Sequence, residues 1–85
     1  MYRTQFFDTT IKGEPEVADV LERVYNALKS NGYNPVNQIV GYIMSGDPTY
    51  ITSAKNARSL IMRVERDELL EELLKAYIDT KLEKQ

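Results

Sequence analysis

An all-α fold, a small bundle of about four helices with a short extended or flexible N-terminal tail, is what this sequence predicts, on three observations. Apolar residues recur at helical spacing in two runs: Val17, Val20, Leu21, Val24 and Leu28, then Leu69, Leu70, Leu73, Leu74, Tyr77 and Ile78. The stretch Gly32–Tyr50 carries the same start signal twice, Asn34-Pro35 and Asp47-Pro48. No residue from Ser30 through Gly46 is charged, in a chain that is 28% charged. A solvated helix normally carries charges, so the helix in this stretch is expected to be buried or pressed against a partner or ligand.

Residues 1–14 read as a tail and residues 15–85 as one helical domain. Tyr2, Thr4 and Phe6 alternate with Arg3, Gln5 and Phe7, a pattern that permits a short strand. The first helix is predicted from Pro15 to Ser30, with Glu14 and Glu16 beside the positive end of its dipole. Asp19 and Arg23 form an i, i+4 pair on its outer side, and Asn31-Gly32 stops it.

The second helix starts at the Asn34 cap with Pro35 in its first position. Val36, Ile39, Val40 and Ile43 are expected to form its core face. Asn34, Asn37, Gln38, Gly41 and Ser45 make the other face, one of amides, a glycine and a hydroxyl. Gly41 costs about 1 kcal/mol against alanine in a helix interior, which points to close approach of another backbone or a ligand. Ser45-Gly46 ends the helix, and Asp47-Pro48 begins a single turn through Tyr50.

A third helix is predicted to begin near Thr52-Ser53 and to carry Ala57, Leu60, Ile61 and Val64 inward. The fourth holds the leucine run. Continued as one straight rod, the two stripes would lie roughly 160° apart at about 100° per residue. A break near Glu65–Asp67, with Asp67 as the cap, lets both face one core. The leucine stripe spans about half the helix circumference by the same spacing. That is more apolar surface than three short helices cover, so Leu70, Leu74, Tyr77 and Ile78 are candidates for a homodimer interface. Self-association would also supplement the marginal core of an 85-residue chain.

The composition narrows the chemistry. The chain has no cysteine and no histidine, hence no disulfide framework, no thiolate and none of the commonest metal ligand or general base. Nucleotide loops, nucleophile elbows and zinc-protease signatures are missing. The carboxylates Glu65, Asp67, Glu68, Glu71 and Glu72 suit a solvated helix face. No enzymatic activity, cofactor or metal is expected. No apolar run approaches the ~20 residues that span a bilayer, and a cytoplasmic protein is expected. Lys55 and Arg58, with Arg66 further on, are candidate anion-binding residues near a helix start. A small nucleic-acid-binding module using these three is the alternative reading, although the net charge of −2 gives no global pull toward a polyanion.

Three segments then carry a resemblance: G-Y-N-P-V-N-Q-I-V-G-Y-I-M-S-G-D-P-T-Y-I (Gly32–Ile51), N-A-R-S-L-I (Asn56–Ile61) and E-R-D-E-L-L-E-E-L (Glu65–Leu73). Together they strongly resemble the IreB regulatory phosphoprotein family of Gram-positive and related bacteria, without a gap from about Val24 to Tyr77. The resemblance implies a small helical, cytoplasmic homodimer without enzymatic activity, acting beneath transmembrane Ser/Thr kinases that sense the cell wall and affecting envelope stress and antibiotic tolerance. The partners it implies are a second copy, a Ser/Thr kinase with a matching phosphatase, and an unidentified downstream protein. Family tails read Thr-x-x-Phe before the first helix. Thr4-Gln5-Phe6-Phe7 fits, which makes Thr4 the first candidate phosphosite, with Thr9 and Thr10 ranked lower. The sequence departs from the family pattern in having Tyr2 and Arg3 where an acidic residue commonly precedes the threonine, and Thr52 where proline commonly follows Tyr50-Ile51.

Overall fold

The computed structural model describes residues 16–83. Four α-helices follow one another, α1 (Val17–Ser30), α2 (Pro35–Ser45), α3 (Ala57–Ile61) and α4 (Arg66–Tyr77), and the described residues contain no strand. Short 3₁₀ turns at Pro48–Tyr50 and Ala54–Asn56 link α2 to α3, and α4 loosens into a π-type turn over Ile78–Leu82. The tail and Pro15 lie outside the described residues, so the expected tail strand and the role of Pro15 do too.

The core is built on α1. Val20, Val24, Ala27 and Leu28 are essentially sealed from solvent, and α1 packs against each of the other three helices. Ile51, Ala57, Ile61, Val64 and Leu69 complete the centre, and no polar or charged residue is buried among the described residues. The small side chains of Ala27 and Ala57 leave room for close helix approach. Leu28 then closes α1 twice over: its side chain fills the core, and its carbonyl accepts from the N–H groups of Asn31 and Tyr33 at 3.2 and 2.9 Å.

Three boundaries differ from the expectation, each for a local reason. Glu16 flanks the start of α1, which begins at Val17. α3 begins five residues after Thr52 because Lys55 and Asn56 both adopt left-handed backbone (φ 55° and 61°) and interrupt any earlier helix. Each such residue costs about 1–2 kcal/mol without glycine. α4 is capped by Glu65, not Asp67: the Glu68 carboxylate reaches back to accept from the Glu65 N–H at 2.9 Å. Asp67 sits in the first turn, where its charge meets the dipole. The break between α3 and α4 is present, and it brings Ala57, Ile61, Val64 and Leu69 into one core.

The larger correction concerns α2. It lies against the bundle along one edge, with Tyr42 buried and Ile39 and Ile43 packed partly on the core. Val36 and Val40, expected inside, are 69% and 50% exposed, and Met44 is 77% exposed. The uncharged helix is therefore a surface helix with an apolar outer side.

Leu69 and its neighbour Leu70 separate the two sides of α4, the first fully buried and the second mostly exposed. Leu69→Ala is expected to lower stability by about 2–5 kcal/mol in urea unfolding, the range for emptying a packed leucine site.

Candidate partner-binding surface

Local chemistry fixes the ends of α2. The Asn34 side chain accepts from the Asn37 N–H at 3.1 Å, and Pro35 occupies the first turn. At the far end Gly46 takes a left-handed conformation (φ 75°) and donates to the Tyr42 carbonyl at 2.7 Å. The Arg66 guanidinium donates to the Ile43 carbonyl at 2.9 Å and lies so close to Gly46 that an added Cβ would meet its Cζ at 3.0 Å. The start of α4 thus satisfies a carbonyl that the end of α2 leaves open.

The amide and glycine face is largely spoken for within the chain. Ser45 Oγ donates to the Gly41 carbonyl at 2.7 Å and accepts from the Asp47 N–H at 3.0 Å. Gly41 is covered by the Tyr50 ring: a Cβ at this position would stand 2.5 Å from Tyr50 Cδ1. The close approach that the glycine implies is therefore met by an aromatic ring of the same chain. Asp47 holds the turn that delivers this ring, accepting from the Thr49 N–H at 3.0 Å and the Thr49 hydroxyl at 2.7 Å. Those two bonds, the hydroxyl first, hold its carboxyl below the usual carboxylate value. Asn37 stays exposed and Gln38 half-buried.

On its other side α2 forms an apolar groove of about 610 Å³ with α1 and α4. Leu21 and Tyr25 come from α1, Pro35, Val36, Ile39 and Val40 from α2, and Leu73 from α4. Two charged residues, Glu22 and Lys29 of α1, also line it. Sequence reading missed this groove because it placed Val36 and Val40 in the core. The absence of charge on α2 was its only trace. Next to it, Leu70, Leu74 and Tyr77 are more than half exposed and Ile78 is half-buried.

The basic residues do not share one concavity. Lys55 lines a depression with Arg23 and Arg63, whereas Arg66 lines another with Ile43, Met44, Glu65, Asp67 and Leu70. Arg58 donates from Nε to the Ile51 carbonyl at 2.8 Å. Two of the three anion candidates thus spend guanidinium donors on backbone carbonyls. α3, with five residues, offers little dipole. Among the described residues no group of three or more carboxylates gathers as metal ligands, and no helix is long and apolar enough to cross a membrane.

Comparison with known proteins gives a consistent result. Residues 2–79 match the family described as IreB regulatory phosphoprotein. A UPF0297 protein of Lachnoclostridium phytofermentans is 64% identical over 81 residues, covering 95% of this chain and 92% of the relative. UPF0297 proteins of Ruminiclostridium cellulolyticum and Acetivibrio thermocellus are 58% and 57% identical over 76 residues, covering 89% of this chain and 86% and 84% of the relatives.

Two outcomes follow from the packing of Tyr50 on α2. Gly41→Ala is expected to destabilise the protein by about 1 kcal/mol, since the ring must move. In a Tyr50→Ala background the same change is expected to stabilise by about 1 kcal/mol through helix propensity alone, and denaturant curves of the four variants read the coupling. The second concerns pH. The Asp47 carboxyl has a lower pKa folded than unfolded, so its contribution is complete above the unfolded value and is lost as pH falls through the folded one. Melting temperatures of wild type and Asp47→Ala should stay parallel near neutrality and converge in strong acid.

Proposed function

From the premise that the chain belongs to the IreB regulatory phosphoprotein family, we propose that it acts without catalysis, by protein–protein contacts switched through threonine phosphorylation in the N-terminal tail. The observation that carries the contact role is the apolar outer surface of α2 and α4. A charge-free helix with Val36, Val40 and Met44 turned outward beside Leu70, Leu74 and Tyr77 offers area that association can remove from water at about 25 cal/mol per Å². A cytoplasmic homodimer joined through Leu70, Leu74, Tyr77 and Ile78 is the arrangement we favour. It leaves Asn37 and Gln38 on α2 for a downstream protein.

The switch is assigned to Thr4 ahead of Thr9 and Thr10, all outside the described residues. A phosphate there adds about −1.5 to −2 charges to a segment carrying Arg3, Asp8 and Lys12. A Ser/Thr kinase and its phosphatase in envelope-stress signalling are the proposed writers and erasers of that charge.

Incubation with a Ser/Thr kinase of the host, followed by mass spectrometry, is expected to find phosphate in the tail, most of it lost in Thr4→Ala. No phosphate on any of the three threonines would remove the switch. In sedimentation, Leu70→Glu with Leu74→Glu is expected to convert a dimer to a monomer with the helix content unchanged. A wild-type monomer at all concentrations would remove the dimer.

A further inference from the structure

A second concavity shares no lining residue with the apolar groove, and we propose that it binds a small sugar phosphate, the phosphate held by Arg23, Lys55 and Arg63 and the sugar hydroxyls by Glu16 and Asp19. The inference is independent of the contact role given to α2 and α4, since it uses neither helix.

The phosphate end rests on charge. The depression holds about 320 Å³ and is lined by Arg23, Lys55, Asn56, Ser59, Leu60 and Arg63. Three of the chain's 11 cations thus meet in one place, and no carboxylate stands among the described residues around it, in a protein of net charge −2. They come from three segments: α1, the turn before α3 and the turn after it. No single helix face accounts for the grouping; packing of α1 on α3 assembles it. Arg58 and Arg66 spend guanidinium donors on backbone carbonyls, whereas among the described residues Arg23 and Lys55 carry no such bond. A phosphate monoester brings about −1.5 to −2 charges and three acceptor oxygens, which guanidinium forks and an ammonium match in kind. The Asn56 amide and the Ser59 hydroxyl add neutral donors beside them.

Backbone conformation singles out the same place. Lys55 and Asn56 are the non-glycine residues with positive φ among the described residues, at 55° and 61°, and both line the depression. Asparagine takes this region more readily than most residues; lysine does not. Asn56 makes no compensating cap bond with its side chain. Strain of this kind gathers at ligand sites, where it positions side chains.

The sugar end rests on what adjoins. Arg23, Leu60 and Arg63 also wall a neighbouring depression of about 240 Å³, which Glu16, Asp19 and Val20 complete. Carboxylates repel a second phosphate there but accept bonds from hydroxyl groups, and the shared Leu60 offers apolar surface for the C–H side of a sugar ring. A ligand with phosphate at one end and hydroxyls at the other satisfies both halves. A bare polyanion satisfies only the first.

Ribose 5-phosphate is the probe, titrated into the full chain at about 0.15 M salt and followed by amide NMR. Saturable shifts are expected at Arg23, Lys55, Asn56 and Leu60, with none at Val36 or Val40. Inorganic phosphate should move the same amides with weaker affinity, and neutral ribose should move none. Arg23→Gln and Lys55→Gln, both at exposed positions, should each weaken ribose 5-phosphate about tenfold, the loss of one charge-assisted hydrogen bond, with helix content by circular dichroism unchanged. Lys55→Gly, freed of the left-handed penalty, should melt higher while binding as weakly as Lys55→Gln. Asp19→Asn should weaken ribose 5-phosphate without weakening inorganic phosphate. Absence of saturable shifts would overturn the proposal. So would equal affinity for ribose 5-phosphate and inorganic phosphate, which leaves an anion patch without a sugar site. Binding of a single-stranded oligonucleotide in place of the monomer, with affinity falling steeply in salt, would assign the cluster to a polyanion and overturn it equally.

Discussion

Burial of one narrow face of α1 is the constraint on which the rest of the structure depends. Val20, Val24, Ala27 and Leu28 are the surface against which α3 and α4 find their places. Ile51, Ala57, Ile61 and Leu69 have no other core to enter. With so few residues inside, the chain cannot bury every apolar side chain it carries, and most of the surplus lies on α2 and α4. The fold thus settles by geometry which side chains remain for contact with something else. α2 is the extreme case. It adds one buried residue, Tyr42, and is held chiefly by its ends, where Asn34 caps one and Gly46 with Arg66 closes the other.

What could be read from the sequence follows the range of the interactions involved. The caps of α2, the Asp47 turn and the stop at Gly32 were legible because each is made within a few residues of its own signal. The inward positions of α3 and the turn after it were legible because Ala57, Ile61 and Val64 recur at helical spacing. The buried side of α2 was not. A helix without a single charged residue has little to mark its wet side, and Tyr42 took the inner position over Val36 and Val40 through partners distant in sequence. Arg58 and Arg66 were misleading in a related way. A guanidinium that bonds a carbonyl 7 or 23 residues away leaves the same trace in sequence as one waiting for an anion. The candidate cap at Asp67 failed on a finer point, since Glu68 folds back on Glu65 and starts the helix earlier. Lys55 and Asn56 gave no warning of their left-handed backbone.

The resulting surface has a division of labour. One side of α2 is satisfied internally, by Ser45, Asp47 and the Tyr50 ring. The other is apolar and faces a groove shared with α1 and α4. An uncharged helix suits such a place, since bringing it out of water incurs none of the desolvation penalty that a lysine or glutamate would add. The carboxylates of α4 lie near this surface without crowding it, with Glu65 and Asp67 lining a separate concavity beside Arg66. Contact and charge thus occupy adjoining zones of the same small molecule, which suits a protein whose family is defined by regulation.

The Tyr50 ring seated on Gly41 has a mechanical meaning. It clasps the middle of α2 to the turn ahead of Ile51, closing the segment from Gly41 to Tyr50 on itself. Ile51, next in the chain, is fully buried, and its carbonyl is held by Arg58 of α3. The contacts therefore run without a break from the middle of α2 through Tyr50 and Ile51 to Arg58 of α3. Tyr50 and Ile51, adjacent in the chain, thus tie the outer helix to the buried centre within two residues.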